Sequence, residues 1–198
     1  MYEVNSYESW YTLFVLTGRE VKVKNLLYKE INYEDISDYN LIFIVPQIES
    51  NIKKNKIWQI ERGILFPGYV LVGANKINEN IYNKIVDISN VIRFVKVDSY
   101  LCKISHLEMH SIGEWFNEEE IIENSIIDLD NNDKVVVVTG PLKGHEGEII
   151  RLDKHKRRVV VKVEFMGRTT EIKLSFKFLK KVESNCIEDD EETTPGNE

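Results

Sequence analysis

Residues 114–132 carry seven acidic side chains and no basic one, and the chain changes character across them. Before this run, β-type apolar segments alternate with stretches of helical periodicity. After it, only short strand-like segments occur, separated by turn-rich sequence. Such a switch of period suggests a division of the chain into an α/β unit and a small all-β unit. At roughly 100–200 residues per domain, 198 residues accommodate this division. The expected boundaries are a domain over 1–117, an acidic linker over 118–132, a second domain over 133–182 and an acidic, disordered tail over 183–198.

In the first unit, residues 10–17 (WYTLFVLT) read as a buried strand broken by Gly18. Val23, Leu26, Leu27 and Ile31 then recur at helical spacing. Residues 41–45 form a strand ended by Pro46, and 47–56, polar with three lysines, read as a loop. Segments 57–62 and 64–72 flank Gly63 and suggest a hairpin. Ile77, Ile81, Ile85 and Ile88 share a helix face, and 91–97 is extended. Ser105 and Glu108 have capping-box spacing at the start of a helix running to about Phe116. The order implies an antiparallel sheet with flanking helices, an α/β sandwich. In 118–132, Ile121, Ile122, Ile126 and Ile127 also permit a short docked helix. Strands over 134–139, 148–152, 158–165 and 169–174, with turns at 153–157 and 166–167, suggest a small β-barrel. The fold class is therefore α+β.

The net charge of −7 argues, taken alone, against a nucleic-acid partner. Its distribution reverses the argument. Residues 1–113 are neutral, residues 133–182 hold 13 basic and 6 acidic side chains, and 183–198 hold seven acids and no base. Two cysteines, Cys102 and Cys186, make no disulfide framework. No apolar run approaches the roughly 18–20 residues of a membrane span. The N-terminus lacks the features of a signal peptide. A cytoplasmic protein without a membrane partner is expected.

Catalytic chemistry finds little support. His106 and His110 are four apart, but the intervening residues are not the H-E-x-x-H arrangement, and Cys102 adds only a scattered third candidate. Gly140, Gly144 and Gly147 do not match a P-loop, because Lys143 precedes Gly144 and a strand follows. No G-x-S-x-G element occurs. No catalytic residue, metal site or cofactor is expected.

The basic segment is sharper. Lys154, His155, Lys156, Arg157 and Arg158 fall at a hairpin tip, Lys143 and His145 in the preceding loop, and Arg168 and Lys177 beyond. This is either a solvated tip or a cationic face that binds phosphates through counterion release, with His145 or His155 available to contact bases. In the first unit, Phe66-Pro67-Gly68-Tyr69 interrupts a strand, and Trp10, Tyr11, Phe14 and Trp58 add aromatics nearby. They form either a packed core or an apolar groove that docks a partner helix.

Trp10–Glu20 (WYTLFVLTGRE), Phe66–Val72 (FPGYVLV), the VIRFVKV strand and Asp133–Asp153 (DKVVVVTGPLKGHEGEIIRLD) occur in an order that resembles the NusG family of transcription elongation factors. The resemblance implies an N-terminal NGN domain and a C-terminal KOW barrel. It implies that the NGN domain docks on the clamp of RNA polymerase through Phe66, Pro67 and Tyr69, with Tyr11 and Phe14 as companions. It also implies a KOW barrel that binds RNA or proteins such as Rho or a small-subunit ribosomal protein. The LDKHKRRVVVKVEF segment is similar to the specialised LoaP branch, whose members are operon-specific antiterminators responding to a leader RNA hairpin. A monomer acting as a processive antiterminator is the expectation. The alternative is a general NusG-type factor with a protein-binding barrel.

Overall fold

The computed structural model describes residues 4–129 and 135–179. The acidic tail expected over 183–198 and the end of the expected linker lie outside the described residues. The first sheet contains β1 (Ser9–Val15), β2 (Ile42–Ile44), β5 (Tyr69–Ala74), β6 (Val91–Phe94) and β9 (Lys103–Ile104). Its order is β2-β5-β1-β6, with β9 also paired to β1. β1 is central and antiparallel to β5, Tyr11 standing opposite Val72 and Phe14 opposite Tyr69. Strands β3 (Gln47–Lys54) and β4 (Ile57–Ile64) form a separate hairpin, and β7 (Lys96–Val97) and β8 (Tyr100–Leu101) a small ribbon.

Because successive side chains of a strand point to opposite faces, β1 serves two cores. Tyr11, Leu13 and Val15 join the cluster containing Val23 and Leu27 of α1 (Glu20–Glu30) and Ile81 and Ile85 of α3 (Glu79–Val86). Ile36 of α2 (Tyr33–Asp38) packs at its margin. Trp10 points the other way, onto Met109 and Ile112 of α4 (His106–Gly113). Local chemistry starts these helices. Asn78 Oδ1 accepts the Ile81 N–H at 2.9 Å, and Ser105 and Glu108 form the expected reciprocal capping box. No helix among the described residues is long and apolar enough to cross a membrane.

The second unit is a five-stranded sheet of β11 (Ser125–Leu129), β12 (Val135–Thr139), β13 (Ile149–Asp153), β14 (Arg158–Phe165) and β15 (Arg168–Phe178), in the order β12-β11-β15-β14-β13. Val159, Val161, Val163, Ile172, Leu174 and Phe176 are among its buried side chains. They belong to the same continuous apolar cluster as Trp10 and Met109, so the barrel packs on the sheet face that carries α4.

Two segments differ from expectation. Residues 47–56 are not a loop, and Gly63 is not a turn. The hairpin pairs β3 with β4 from Gln47↔Ile64 to Lys54↔Ile57, turning at Asn55-Lys56, both with positive φ. The hairpin stands largely in solvent, so β4 lacks the period-2 apolar signal that marks a half-buried strand. The span 118–132 is not a free tether either. Its residues Ile121–Ile122 form β10, parallel to β3, and β11 lies between β12 and β15. No docked helix forms among its described residues. A fragment of residues 133–182 therefore lacks a central barrel strand. It is expected to show no cooperative melt by circular dichroism, whereas 123–182 regains one. A cooperative melt of the shorter fragment would contradict this pairing.

Candidate docking face and nucleic-acid interface

The Phe66–Tyr69 segment is a tight turn between β4 and β5. Tyr69 N–H donates to the Phe66 carbonyl at 3.2 Å, and Gly68 takes φ +86°. A side chain at Gly68 would be strained there, and its Cβ would also lie 3.1 Å from Thr17 Oγ1. Glu20, only 2% exposed, holds the turn to the start of α1. Its Oε1 accepts the Gly68 N–H at 2.6 Å and the Gly18 N–H at 3.0 Å. Burial pushes its carboxyl pKa up, but the N–H groups of Gly68, Glu20 itself and Gly18 outweigh this and leave it below the ordinary value.

Glu20→Ala is expected to cost about 2–4 kcal/mol, because it orphans two backbone donors in a buried site. A lowered folded-state pKa means this contribution is present above the unfolded carboxylate range and lost as pH falls through the folded value. The gap in melting temperature between wild type and variant should therefore be full at pH 7 and close under acid. A gap independent of pH would refute the charged contribution.

The structure brings Phe14, Phe66, Pro67 and Tyr69 together. Phe14 and Tyr69 are partly buried, with ring centroids 5.5 Å apart, and Pro67 is exposed. Tyr11 is not with them. It lies on the helix-covered face, edge-on to Phe94 at 6.5 Å. The face is also partly covered. Phe66 is 8% exposed because Phe165 of the barrel stacks on it, centroids 4.1 Å apart and planes within 7°. Next to this stack, Gly167 N–H donates to Glu108 Oε1 at 2.8 Å. Burial raises the Glu108 pKa, yet bonds from Gly167 and Ser105 hold it below its ordinary value. A cleft of about 440 Å³ remains beside the stack, lined by Pro67, Tyr69, Val95, Cys102 and Met166.

Of the nine basic residues singled out in the sequence, seven fall at the two ends of the β14–β15 hairpin, and Lys143 and His145 do not. Its register runs from Arg158↔Ser175 to Phe165↔Arg168. At about 3.4 Å per residue, those ends are roughly 24 Å apart. At the first end, Lys154, His155 and Lys156 are exposed, and Asp153 Oδ1 accepts the Lys156 N–H at 2.9 Å, shaping the turn. Arg158 lines a cleft with Arg151, Lys156 and Lys173. Arg157 and Lys177 line a neighbouring one with Phe178. At the other end, Arg168 borders the Phe66 cleft.

The preceding loop faces the first domain. His145 Nδ1 lies 2.9 Å from Glu148 Oε1 and its Nε2 3.5 Å from Glu114 Oε2, with its ring edge-on to Trp115 at 5.7 Å. Lys143 is exposed beside it. His145 is thus engaged at a domain contact, apart from the Lys154–Arg158 cluster. His106 Nε2 lies 3.1 Å from the Glu8 carbonyl and His110 Nδ1 3.4 Å from Glu114. Among the described residues, no group of three or more His, Cys, Asp or Glu side chains is placed to hold a metal. Sequence reasoning grouped Trp58 with the aromatics around Phe66, whereas the structure places it on the β3–β4 hairpin with its ring 4.4 Å from the Arg157 guanidinium carbon. Its one signal is the lysine-rich stretch immediately before it.

A family model described as transcription termination factor nusG matches residues 8–113, and a KOW motif model matches 131–164. The chain is 28% identical to the transcription termination/antitermination protein NusG of Bacillus subtilis over 178 residues, covering 88% of this chain and 99% of that protein. It is 27% identical to the protein of the same name from Helicobacter pylori, covering 87% and 98%. Among solved structures, one concerning domain interaction in Thermotoga maritima NusG is similar in fold. Its TM-score is 0.50 at 24% identity, covering 84% of this chain and 93% of that one.

Proposed function

Because the chain belongs to the NusG family of transcription termination and antitermination factors, with an NGN domain followed by a KOW domain, we propose that it is an operon-specific processive antiterminator. Family members are transcription factors that bind RNA polymerase, not enzymes. On this reading the NGN domain docks on the polymerase clamp through Phe14, Phe66, Pro67 and Tyr69. The KOW barrel recognises a leader RNA hairpin through Lys154, His155, Lys156, Arg157, Arg158 and Lys177. Joining two modest binders in one chain raises the effective concentration of each at its site, so neither contact has to be extreme.

The observation that carries this reading is the cationic end of the barrel. Lys154, His155 and Lys156 project from a turn shaped by Asp153, with Arg151, Arg158 and Lys173 beside them. A-form RNA hides its major-groove edges but exposes loops, bulges and phosphates, which a narrow basic projection can reach. The deciding experiment is transcription in vitro with the full chain, on templates that carry or lack a leader hairpin upstream of a terminator. Readthrough that requires the hairpin supports the proposal. Equal effects on both templates, together with binding of Rho or a ribosomal protein, would replace it with a general NusG role.

A further inference from the structure

The β3–β4 hairpin reaches from the first domain to the cationic end of the barrel. Asn51 of β3, 4% exposed, clamps β15: its N–H donates to Ser175 Oγ at 3.1 Å, and its Nδ2 donates to the Phe176 carbonyl at 2.7 Å. The next backbone bond on that side ties Phe176 N–H to the Arg157 carbonyl at 3.0 Å. Arg157, with φ +52°, turns its guanidinium over the Trp58 ring, and Lys53 Nζ lies 5.8 Å from the same ring. A cation held by an aromatic face in this way is a recognised contact of modest strength. It lies here directly between two basic projections. One is the hairpin tip with Lys53, Lys54 and Lys56, all exposed; the other is the barrel turn with Lys154 and Lys156.

We propose that these two projections form one composite binding surface for the phosphodiester backbone of an RNA stem, assembled only while the barrel is docked on the NGN domain. The inference rests on the RNA-binding reading above and extends it to a domain that this reading leaves to the polymerase. Three observations favour backbone contact. The positive groups come from two separate elements, which suits phosphates on either side of a groove. The aromatic ring between them is occupied by Arg157 and Lys53, so it serves as a clamp and not as a platform for bases. The nearby acids are already engaged: Glu61 pairs with Lys54, Asp153 lies 3.9 Å from Lys156, and Glu171 lies 3.6 Å from Arg151.

The test uses the full chain and two RNA probes, a 16-base-pair stem closed by a GAAA tetraloop and a 16-nucleotide oligouridine. Affinity is measured across a salt titration. K53Q/K54Q/K56Q is expected to weaken stem binding at least tenfold at 0.1 M salt and to flatten the log–log salt slope by about 2–3, since each lost phosphate contact removes roughly 0.7–0.9. W58A removes no charge, yet it should flatten the slope in the same direction by uncoupling the projections. Its melting curve verifies that it is folded. If K154Q/K156Q weakens stem binding while the hairpin triple variant leaves affinity and slope unchanged, the composite surface is wrong and the barrel reading stands. If the wild type binds neither probe with any salt dependence, both fall. Preference for oligouridine over the stem would overturn the stem assignment.

Discussion

Reversing Lys154, Lys156, Arg157 and Arg158 to glutamate is expected to weaken RNA binding by roughly two to three orders of magnitude at physiological salt. Four neutralised phosphates contribute about 3–4 to the log–log salt slope, and the counterion release lost with them corresponds to that factor near 0.15 M. The four residues occupy one end of the barrel, and their backbone is anchored independently of their charges. Arg158 pairs with Ser175, and the Arg157 carbonyl accepts the Phe176 N–H at 3.0 Å. The fold should therefore survive, with the loss of the Arg157 contact to Trp58 as the main structural cost. Filter binding or a gel shift on the leader hairpin reads the effect. If the proposed function holds, hairpin-dependent readthrough should vanish with it while polymerase binding persists. An unchanged affinity would remove the cationic end from RNA recognition altogether.

The second large effect concerns the covered face. Phe165→Ala deletes a 5%-exposed aromatic side chain stacked on Phe66. Truncating a buried Phe costs about 3–5 kcal/mol, and here the side chain removed is one that bridges the two domains. The barrel is expected to leave the NGN face and expose Phe66 beside Phe14 and Tyr69. If those residues dock on polymerase, a closed population suppresses apparent affinity in proportion to the fraction that is open, so release should tighten binding. Biolayer interferometry against core polymerase measures the change, and proteolysis within 117–124 reports the opening. Phe66→Ser added to Phe165→Ala should abolish the gain. Equal polymerase affinity in wild type and the single variant would mean that the stack does not limit access.

Much of the scaffold was legible in the sequence. β14 spans Arg158–Phe165 because a valine-rich run and a two-residue turn at Met166-Gly167 leave little choice of register. The capping box at Ser105 was equally explicit, since it is a matter of local chemistry. The β3–β4 hairpin was not legible, because its exposed strands bury too little to show a period. The linker strands were missed for a different reason. Ile121 and Ile122 read as apolar, but their partner is β3, itself hidden. Phe165 illustrates the limit for the site. An apolar residue at the end of a barrel strand carries no mark that says whether it fills its own barrel or another domain's surface. Tyr11 and Phe14, three residues apart, fall on opposite faces once β1 is extended, a consequence of period 2 that sequence proximity conceals.

The shortness of the connection between β10 and β11 sets a leash on the barrel. Only Glu123 and Asn124 separate the two strands. Two extended residues span at most about 7 Å. With β10 in place, the barrel can tilt but cannot travel. Longer reach requires β10 to peel from β3, and Glu120 is its anchor: its carbonyl accepts the Gln47 N–H at 2.9 Å, its Oε2 accepts the Val45 N–H at 2.8 Å, and its other oxygen pairs with Lys24. With β10 unpaired from β3, residues 117–124 would be free to extend, and eight extended residues reach up to about 28 Å. The pairing of β10 with β3 therefore sets the length of the barrel's tether, and the Glu120 carboxylate is one of the contacts that hold that pairing.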